Sequence, residues 1–176
     1  GEVFQGDMRI ADGKIVEVGK NINGDESRSL NGKHVFPGFI DSGNFLGAQD
    51  MAFFAKDYNE NSNPVTPYLD IWHSIDPDEL SLQELYKAGI TSMLVTPGNE
   101  GILGGTCTVV KTKGKNINKI TVKRDAAMKA SMTSEVIRVF SGKGSPQTPM
   151  ALIAMLKTAL QTTESVSYTH LRAHET

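Results

Sequence analysis

Residues 35–45 constrain the fold of this chain more than any other stretch. A first apolar run ends in the Pro-Gly pair at 37–38, and a second, at 39–40, leads into Asp41 and a polar tip. A short apolar run bounded by turn residues is typical of a β-strand. The sequence therefore predicts a strand here that ends in a cluster of polar side chains.

The residues that follow predict a βαβ unit. A long polar segment, 46–79, precedes a helical pattern over 81–88, for which Asp76-Pro77-Asp78 offers an N-terminal cap and Gly89 a C-terminal stop. The apolar, β-rich run 90–95 then predicts a buried parallel strand. Strand, loop, helix and strand in this order indicate an α/β fold.

The first 36 residues predict a small antiparallel β unit. Short apolar segments at 7–10 and 14–18 flank Asp12-Gly13, a dipeptide that favours a tight hairpin because the turn needs positive φ. Asn-Gly pairs at 23–24 and 31–32 predict further turns.

In this order the segments resemble the amidohydrolase superfamily, and within it the imidazolonepropionase-related group. The similar motifs are Asp-Gly-Lys-Ile-Val-Glu-Val-Gly at 12–19, Asn-Gly-Lys-His-Val-Phe-Pro-Gly at 31–38, Ala-Gly-Ile-Thr-Ser at 88–92, and Thr-Pro-Gly at 96–98 followed by Gly-Gly at 104–105. The resemblance spans roughly residues 5 to 160. It implies the opening part of a (β/α)₈ (TIM) barrel, preceded by part of a composite β-sandwich.

The resemblance also implies a metal site, and this chain departs from it. In the family the strand reads P-G-[FL]-I-D-x-H-x-H, and its two histidines bind a catalytic divalent metal, zinc in intact members. Gly43 and Phe45 stand at those two positions. We therefore predict no catalytic residue and no metal ligand in this chain. Asp41 and Asn44 are the residual residues near the site, and Asp50 is a further oxygen donor nearby.

The resemblance implies a domain organisation. We expect a β-sandwich part at 1–36, the first β/α units of the barrel at 37–165, and a non-native tail at 166–176. A complete barrel needs about 250 residues, more than the 176 of this chain, which also begins without methionine. We therefore expect an N-terminal fragment with open barrel edges.

Other motifs favour structural roles. The Gly pair at 104–105 lacks the Gly-Lys-[Ser/Thr] ending of a phosphate loop, so a turn is predicted. His34 and His73 are interpreted as surface or turn histidines, and Cys107 as a small core residue. An i, i+4 pair, His170 and His174, lacks the glutamate of the H-E-x-x-H zinc motif. Apolar spacing over 148–159 predicts a helix.

Charge and cysteine content limit the classes of partner and the compartment that we expect for this chain. The chain has 18 Lys and Arg against 20 Asp and Glu, which gives no electrostatic reason to expect nucleic acid or an anionic membrane. Its single cysteine excludes an intramolecular disulfide and fits a reducing cytoplasm. A small-molecule substrate or ligand is the expected partner of a full-length parent, and a homo-oligomer is left open.

Three hypotheses stay open at the level of sequence. The first is a homologue that has lost its strand-one ligands and serves in binding or structure. The second is part of an active hydrolase of amide or imide C–N bonds with a rearranged site. The third is an unrelated β-plus-α binding module.

Overall fold

A computed structural model gives the fold of the chain. It describes residues 3, 5–49 and 55–173, with side chains up to residue 163. The chain divides into two compact units, residues 1–37 and 38–176. The fold is mixed α/β, with a small antiparallel sheet in the first unit and a mixed sheet in the second.

The first unit contains the predicted hairpin. Strands β1 (Asp7–Ala11) and β2 (Lys14–Gly19) pair antiparallel. Asp12 and Gly13 connect them with φ of 50° and 71°, the two successive positive values that a tight hairpin turn requires. An ion pair of 3.3 Å between Arg9 and Glu17 joins the strands. The antiparallel hairpin that the Asp-Gly pair predicts is therefore confirmed.

The second unit begins with the predicted βαβ crossover. Strand β3 (Phe39–Asn44) pairs parallel with β4 (Ile90–Val95), and helix α1 (Leu80–Lys87) lies between them in the chain. The segment between β3 and α1 is mostly irregular and includes a 3₁₀ turn over Ile71–Ser74. The helix, both strands and their parallel pairing are confirmed.

The cap predicted for α1 is wrong. Glu79 is the N-cap and makes no capping hydrogen bond with its side chain. Asp76 instead accepts a hydrogen bond of 2.9 Å from the N–H of Asp78. Asp76 therefore organises the turn before the helix, because Asx side chains readily bond to the backbone two residues on.

Two antiparallel strands extend the sheet beyond β4. Strands β5 (Leu103–Lys111) and β6 (Thr121–Ala130) complete the order β3-β4-β5-β6, with α2 (Ile117–Ile120) between them. The turn predicted at the Gly pair is wrong, because both glycines lie within β5. Gly105 has φ of 113°, and a Cβ there would lie 2.4 Å from the carbonyl oxygen of Leu69. Glycine therefore lets the preceding loop approach the strand.

Two helices complete the second unit. Helix α3 (Ser134–Phe140) precedes α4 (Pro149–Ala173), which starts where the apolar spacing predicts but runs further. The described part of α4 includes residues 166–173, and the interpretation of 166–176 as a non-native tail stays a prediction. None of the described helices is long and apolar enough to cross a membrane.

Two apolar clusters lie beside the mixed sheet. The first packs α1 and the 3₁₀ turn against β4 and β5, with Leu82, Met93, Val95 and Val110 at its centre. The second joins the start of β5 to α3 and α4, through Ile102, Val136, Phe140 and Leu152. The first cluster therefore holds the crossover helix against β4, the strand that pairs with β3.

Leu82 tests this packing. Its side chain is 1% exposed in the first cluster, so Leu82→Ala removes buried apolar contact and leaves a cavity. We expect a loss of about 2–5 kcal/mol in the free energy of unfolding, measured by urea denaturation. Leu80→Ala on the same helix is the matched control, since Leu80 is 57% exposed. Equal losses in the two variants would contradict the role given to Leu82.

Candidate functional site

The carboxyl ends of β3 and β4 lie side by side. Asn44 pairs with Val95, and the N–H of Thr96 donates a 2.8 Å hydrogen bond to the carbonyl of Asn44. In parallel α/β sheets, ligands bind outside the carboxyl ends of the strands. The candidate site is therefore the end of β3, where the sequence places Asp41, Gly43, Asn44 and Phe45.

Asp41 and Asn44 bond to their own turn. The carboxylate of Asp41 accepts a 3.0 Å bond from the N–H of Gly43 and a 2.5 Å bond from the side-chain amide of Asn44. The amide oxygen of Asn44 accepts a 2.8 Å bond from the N–H of Leu46. Both oxygens of Asp41 and the one side-chain oxygen of Asn44 are thus engaged in shaping the strand end.

Gly43 and Phe45 stand at the two positions where the resemblance implies metal ligands, and neither has a side-chain atom that could bind a metal. A Cβ at Gly43 would make an ordinary contact of 3.5 Å with the methyl group of Thr96, and the φ of 159° at this position is one that residues with side chains rarely adopt. The ring of Phe45 stacks on Tyr58, with 4.1 Å between ring centroids and 20° between ring planes. An aromatic pair occupies one of the two positions, and the other has no side chain.

The loop that carries Tyr58 is hydrogen-bonded to the segment that follows β4. The carbonyl of Tyr58 accepts a 2.9 Å bond from the N–H of Gly98. Three residues further on, the side-chain amide of Asn61 donates a 2.7 Å bond to the carboxylate of Glu100. Two separate contacts therefore fix this loop to the segment after β4.

Glu100 is the most buried carboxylate among the described residues, at 7% exposure. Besides Asn61, its carboxylate faces the ammonium of Lys56 at 3.7 Å. Lys143 donates a 2.6 Å bond to the backbone carbonyl of Asn61. The amide oxygen of Asn61 is buried and has no hydrogen-bond partner among the described residues. A buried carboxylate needs such partners, since an unpaired one is costly.

An open groove of about 490 Å³ lies beside the same loop. Its lining is mostly polar, and Asp57, Glu60 and Asp76 contribute carboxylates to it. The other lining residues are Lys56, Asn59, His73, Ser74 and Ile75. The N–H of Ser62 hydrogen-bonds Glu60 and lowers the pKa of that carboxyl. His73, expected at the surface, is exposed in the 3₁₀ turn and faces this groove.

An arginine on β6 binds the loop near its C-terminal end, at Asp70. Arg124 of β6 pairs with the carboxylate of Asp70, and its guanidinium lies 4.2 Å from the centre of the Trp72 ring. The Trp72 indole donates a 2.9 Å bond to Thr121. Burial raises the pKa of Asp70, but the hydrogen bonds from Arg124 and from the N–H of Trp72 outweigh it, and the pKa falls below its usual value.

The remaining candidate residues lie away from the strand end. Cys107 is buried in β5, and burial raises the pKa of its thiol, which fits the expected core role. His34 lies exposed in the first unit. The side chain of His170 and the whole of Asp50 and His174 lie outside the described residues. Within residues 3, 5–49 and 55–173 there is no group of three His, Cys, Asp or Glu placed to hold a metal ion.

The sequence did not point to Tyr58, Asn61 or Glu100. Glu100 and Asn61 are 39 residues apart in the chain, so no local pattern joins them. The signal that was present is the polar Asn99-Glu100 pair directly after Pro97-Gly98, at the carboxyl end of a buried strand. Such positions are enriched in functional residues in α/β folds.

A solved structure resembles nearly the whole chain. The amidohydrolase from Thermotoga maritima MSB8 superposes with a TM-score of 0.90 and 26% identity over 98% of this chain. This chain has an amidohydrolase-like fold. No family model and no curated protein matches it. The likeness to amidohydrolases that the sequence motifs predict is confirmed, while the imidazolonepropionase-related group stays a prediction.

The amidohydrolase-like chain spans less than half of that solved protein. It covers 46% of the length of the Thermotoga chain. It therefore corresponds to a part of the solved amidohydrolase, as the expected fragment does.

Glu100 tests how the loop is held. Glu100→Ala removes the acceptor of the partly buried Asn61 amide, and we expect this to lower the free energy of unfolding by about 1–3 kcal/mol. Glu84→Ala is the control, because Glu84 forms an exposed 2.7 Å pair with Lys87 worth about 0.5 kcal/mol or less. Urea denaturation compares the two. A loss at Glu100 no larger than at Glu84 would show that this contact does not hold the loop.

Asp70 gives a pH dependence. Because its pKa is lowered in the folded chain, its stabilising contribution is complete above its unfolded pKa of about 3.9 and is lost as pH falls through the lower folded value. We expect Asp70→Asn to make stability depend less on pH below about pH 5, measured by urea denaturation across acidic pH. Arg124→Gln should flatten the profile in the same way. Unchanged profiles in both variants would refute the assignment.

Proposed function

We propose that this chain is part of a catalytically inactive amidohydrolase homologue, which serves in binding or structure. The Phe45–Tyr58 stack at the end of β3 carries the proposal. The likeness to an amidohydrolase supports the scaffold, and the side chains at the strand end argue against the metal chemistry of the family.

The metal in such hydrolases would supply hydroxide near neutral pH, by lowering the pKa of a bound water to about 7. Imidazole is a preferred ligand because it is neutral and basic at that pH. Gly43 offers no side chain, and the ring of Phe45 is apolar and already packed on Tyr58. The residues present do not fit a divalent metal at this strand end.

Asp41 and Asn44 do not replace the missing ligands. A metal bound by Asp41 would have to compete with the hydrogen bonds from Gly43 and Asn44 that the carboxylate already accepts. Those bonds hold the strand end in its present turn. We therefore assign both residues a structural role and assign no catalytic residue in this chain.

We further propose that β3, α1 and β4 form the opening of a (β/α)₈ barrel. The parallel pairing of β3 with β4 around a helix supports this, as does the likeness to part of an amidohydrolase. In a longer protein of this kind the ligand would be a small molecule. The polar groove lined by residues between 56 and 76 would form one side of the path by which it enters. The protein would act in the cytoplasm.

Zinc binding tests the proposal. At near-neutral pH, we expect the wild-type chain to bind less than one equivalent of zinc in calorimetry and to show no zinc-dependent hydrolysis of amides or imides. Restoring the pattern with Gly43→His and Phe45→His should increase zinc affinity at least about tenfold, because two imidazoles then share one strand end. A wild-type chain that binds one equivalent of zinc and hydrolyses a C–N bond would refute the proposal.

A matched pair of histidines controls for unspecific binding. Val16→His and Val18→His place the same His-x-His spacing on β2, where both valines are about half exposed. This variant should gain less zinc affinity than the one at Gly43 and Phe45. Equal gains in zinc affinity would show that histidines at the end of β3 bind zinc no better than histidines on an exposed strand.

A further inference from the structure

One short stretch of chain packs on the end of β3. Residues 56–61, which we call the strap, carry Tyr58, whose ring stacks on Phe45 with 4.1 Å between the ring centroids. Phe45 directly follows β3, at the edge of the sheet where α/β folds bind their ligands. A ligand that packs on this face of the Phe45 ring would therefore have to displace Tyr58.

The chain beyond the strap is firmly anchored to the start of β5. The carbonyl of Pro64 accepts hydrogen bonds of 2.7 and 3.3 Å from the N–H groups of Ile102 and Leu103. Thr66 is 1% exposed, and both its N–H and its hydroxyl donate to the carbonyl of Leu103. We therefore expect movement of the strap to pivot before Pro64 and to leave the sheet intact.

The strap itself is held by weaker contacts. The N–H of Gly98 donates a 2.9 Å bond to the carbonyl of Tyr58, and the amide of Asn61 donates a 2.7 Å bond to Glu100. Water replaces such bonds when the strap moves away, so their net contribution is small. Lys56 is 59% exposed and lies 3.7 Å from the same carboxylate, and an exposed ion pair of this kind contributes little.

The closed position of the strap also carries a cost. The amide oxygen of Asn61 is buried and has no hydrogen-bond partner among the described residues. An unpaired buried acceptor costs free energy comparable to what an aromatic stack contributes. Release of the strap would return this oxygen to water and break the stack, so the two effects oppose each other. The closed and open positions of the strap therefore lie close in free energy.

Glycine at position 98 makes the closed position possible. A Cβ there would lie 2.0 Å from the side-chain oxygen of Asn59 and 2.8 Å from the ring of Tyr58. A side chain at position 98 would therefore push these two strap residues away from the segment that follows β4.

We propose that the strap is an autoinhibitory element with two positions. In the closed position Tyr58 covers one face of the Phe45 ring, and in the open position the end of β3 is free to receive a small-molecule ligand. Release also widens the polar groove, because the strap supplies half of its lining, namely Lys56, Asp57, Asn59 and Glu60. The role in ligand binding rests on the proposed function, whereas the two positions are a property of this chain alone.

Native-state hydrogen exchange of the 176-residue chain, read by NMR at single amides, tests the strap. Opening frees the N–H of Gly98 from Tyr58, whereas the N–H of Ile102 stays bonded to Pro64. We expect Gly98 to exchange at least about tenfold faster than Ile102. Exchange at Gly98 should depend little on low concentrations of urea, because strap opening exposes little surface, whereas exchange at Ile102 should accelerate with urea.

Two variants shift the strap toward the open position. Gly98→Ala puts a methyl group where the strap lies, and Tyr58→Ala removes the stack on Phe45. Each should raise the exchange rate at position 98 at least about fivefold, after correction for the intrinsic rate of the amide. Tyr86→Ala is the matched control, because Tyr86 is a tyrosine of α1 that is 42% exposed, and it should leave this rate unchanged.

Three outcomes would overturn the proposal. Equal exchange rates with equal urea dependence at Gly98 and Ile102 would show that the strap leaves only when the sheet unfolds. An unchanged rate in both Gly98→Ala and Tyr58→Ala, or an equal rise in Tyr86→Ala, would show that the stack does not hold the strap. If a variant loses the protection of Ile102, it has unfolded, and the wild-type comparison decides.

The exchange measurement needs neither zinc nor substrate. Zinc-dependent hydrolysis by the chain would therefore refute the proposed loss of catalysis and leave the two positions of the strap standing. Conversely, a strap that opens only on unfolding would overturn this inference and leave the absence of a metal site untouched.

Discussion

The apolar cluster in which helix α1 packs against strand β4 is the interaction on which the second unit depends. Leu82 lies among Met93, Val95 and Val110, and this contact holds the crossover between two parallel strands. Burial of a leucine side chain contributes about 1.5–3 kcal/mol, and an isolated eight-residue helix would not be stable in water. The candidate site lies beside the end of the strand on which α1 packs, because the parallel pairing places Asn44 of β3 next to Val95 of β4.

The resemblance implies a metal site at the end of β3. In this chain that end is instead held by aromatic stacking and local hydrogen bonds. Phe45 rests on Tyr58, and the loop bearing Tyr58 is fixed by Gly98 and Glu100. A carboxylate buried as deeply as Glu100 contributes to a specific arrangement only while its partners are in place. Two contacts therefore hold this part of the loop against the segment that follows β4.

The sequence predicted the elements that local chemistry determines. The hairpin follows from the positive φ of Asp12 and Gly13, and the βαβ unit from apolar runs separated by a helical pattern. The start of strand β5 was predicted as a turn because a Gly-Gly pair is typical of turns. Only the structure shows that Leu69 approaches Gly105 too closely for a side chain there. Strand β6 is not among the predicted elements, because the charged run at 123–125 interrupts the alternation of apolar and polar residues along it. In the site, Gly43 and Phe45 were recognised from one short motif, whereas Asn61 and Glu100 meet across 39 residues and required the structure.

The hydrogen-bonded turn at Asp41 and Asn44 bears on how such a protein persists in a cell. Where histidines and a metal form a strand end, binding of the ion contributes to the free energy of folding, so the folded fraction varies with the supply of metal. Here the turn satisfies its own polar groups through backbone and side-chain bonds within six residues. Under the proposed loss of the metal site, folding at this point would not depend on zinc, so the folded fraction of the protein would not follow the supply of metal.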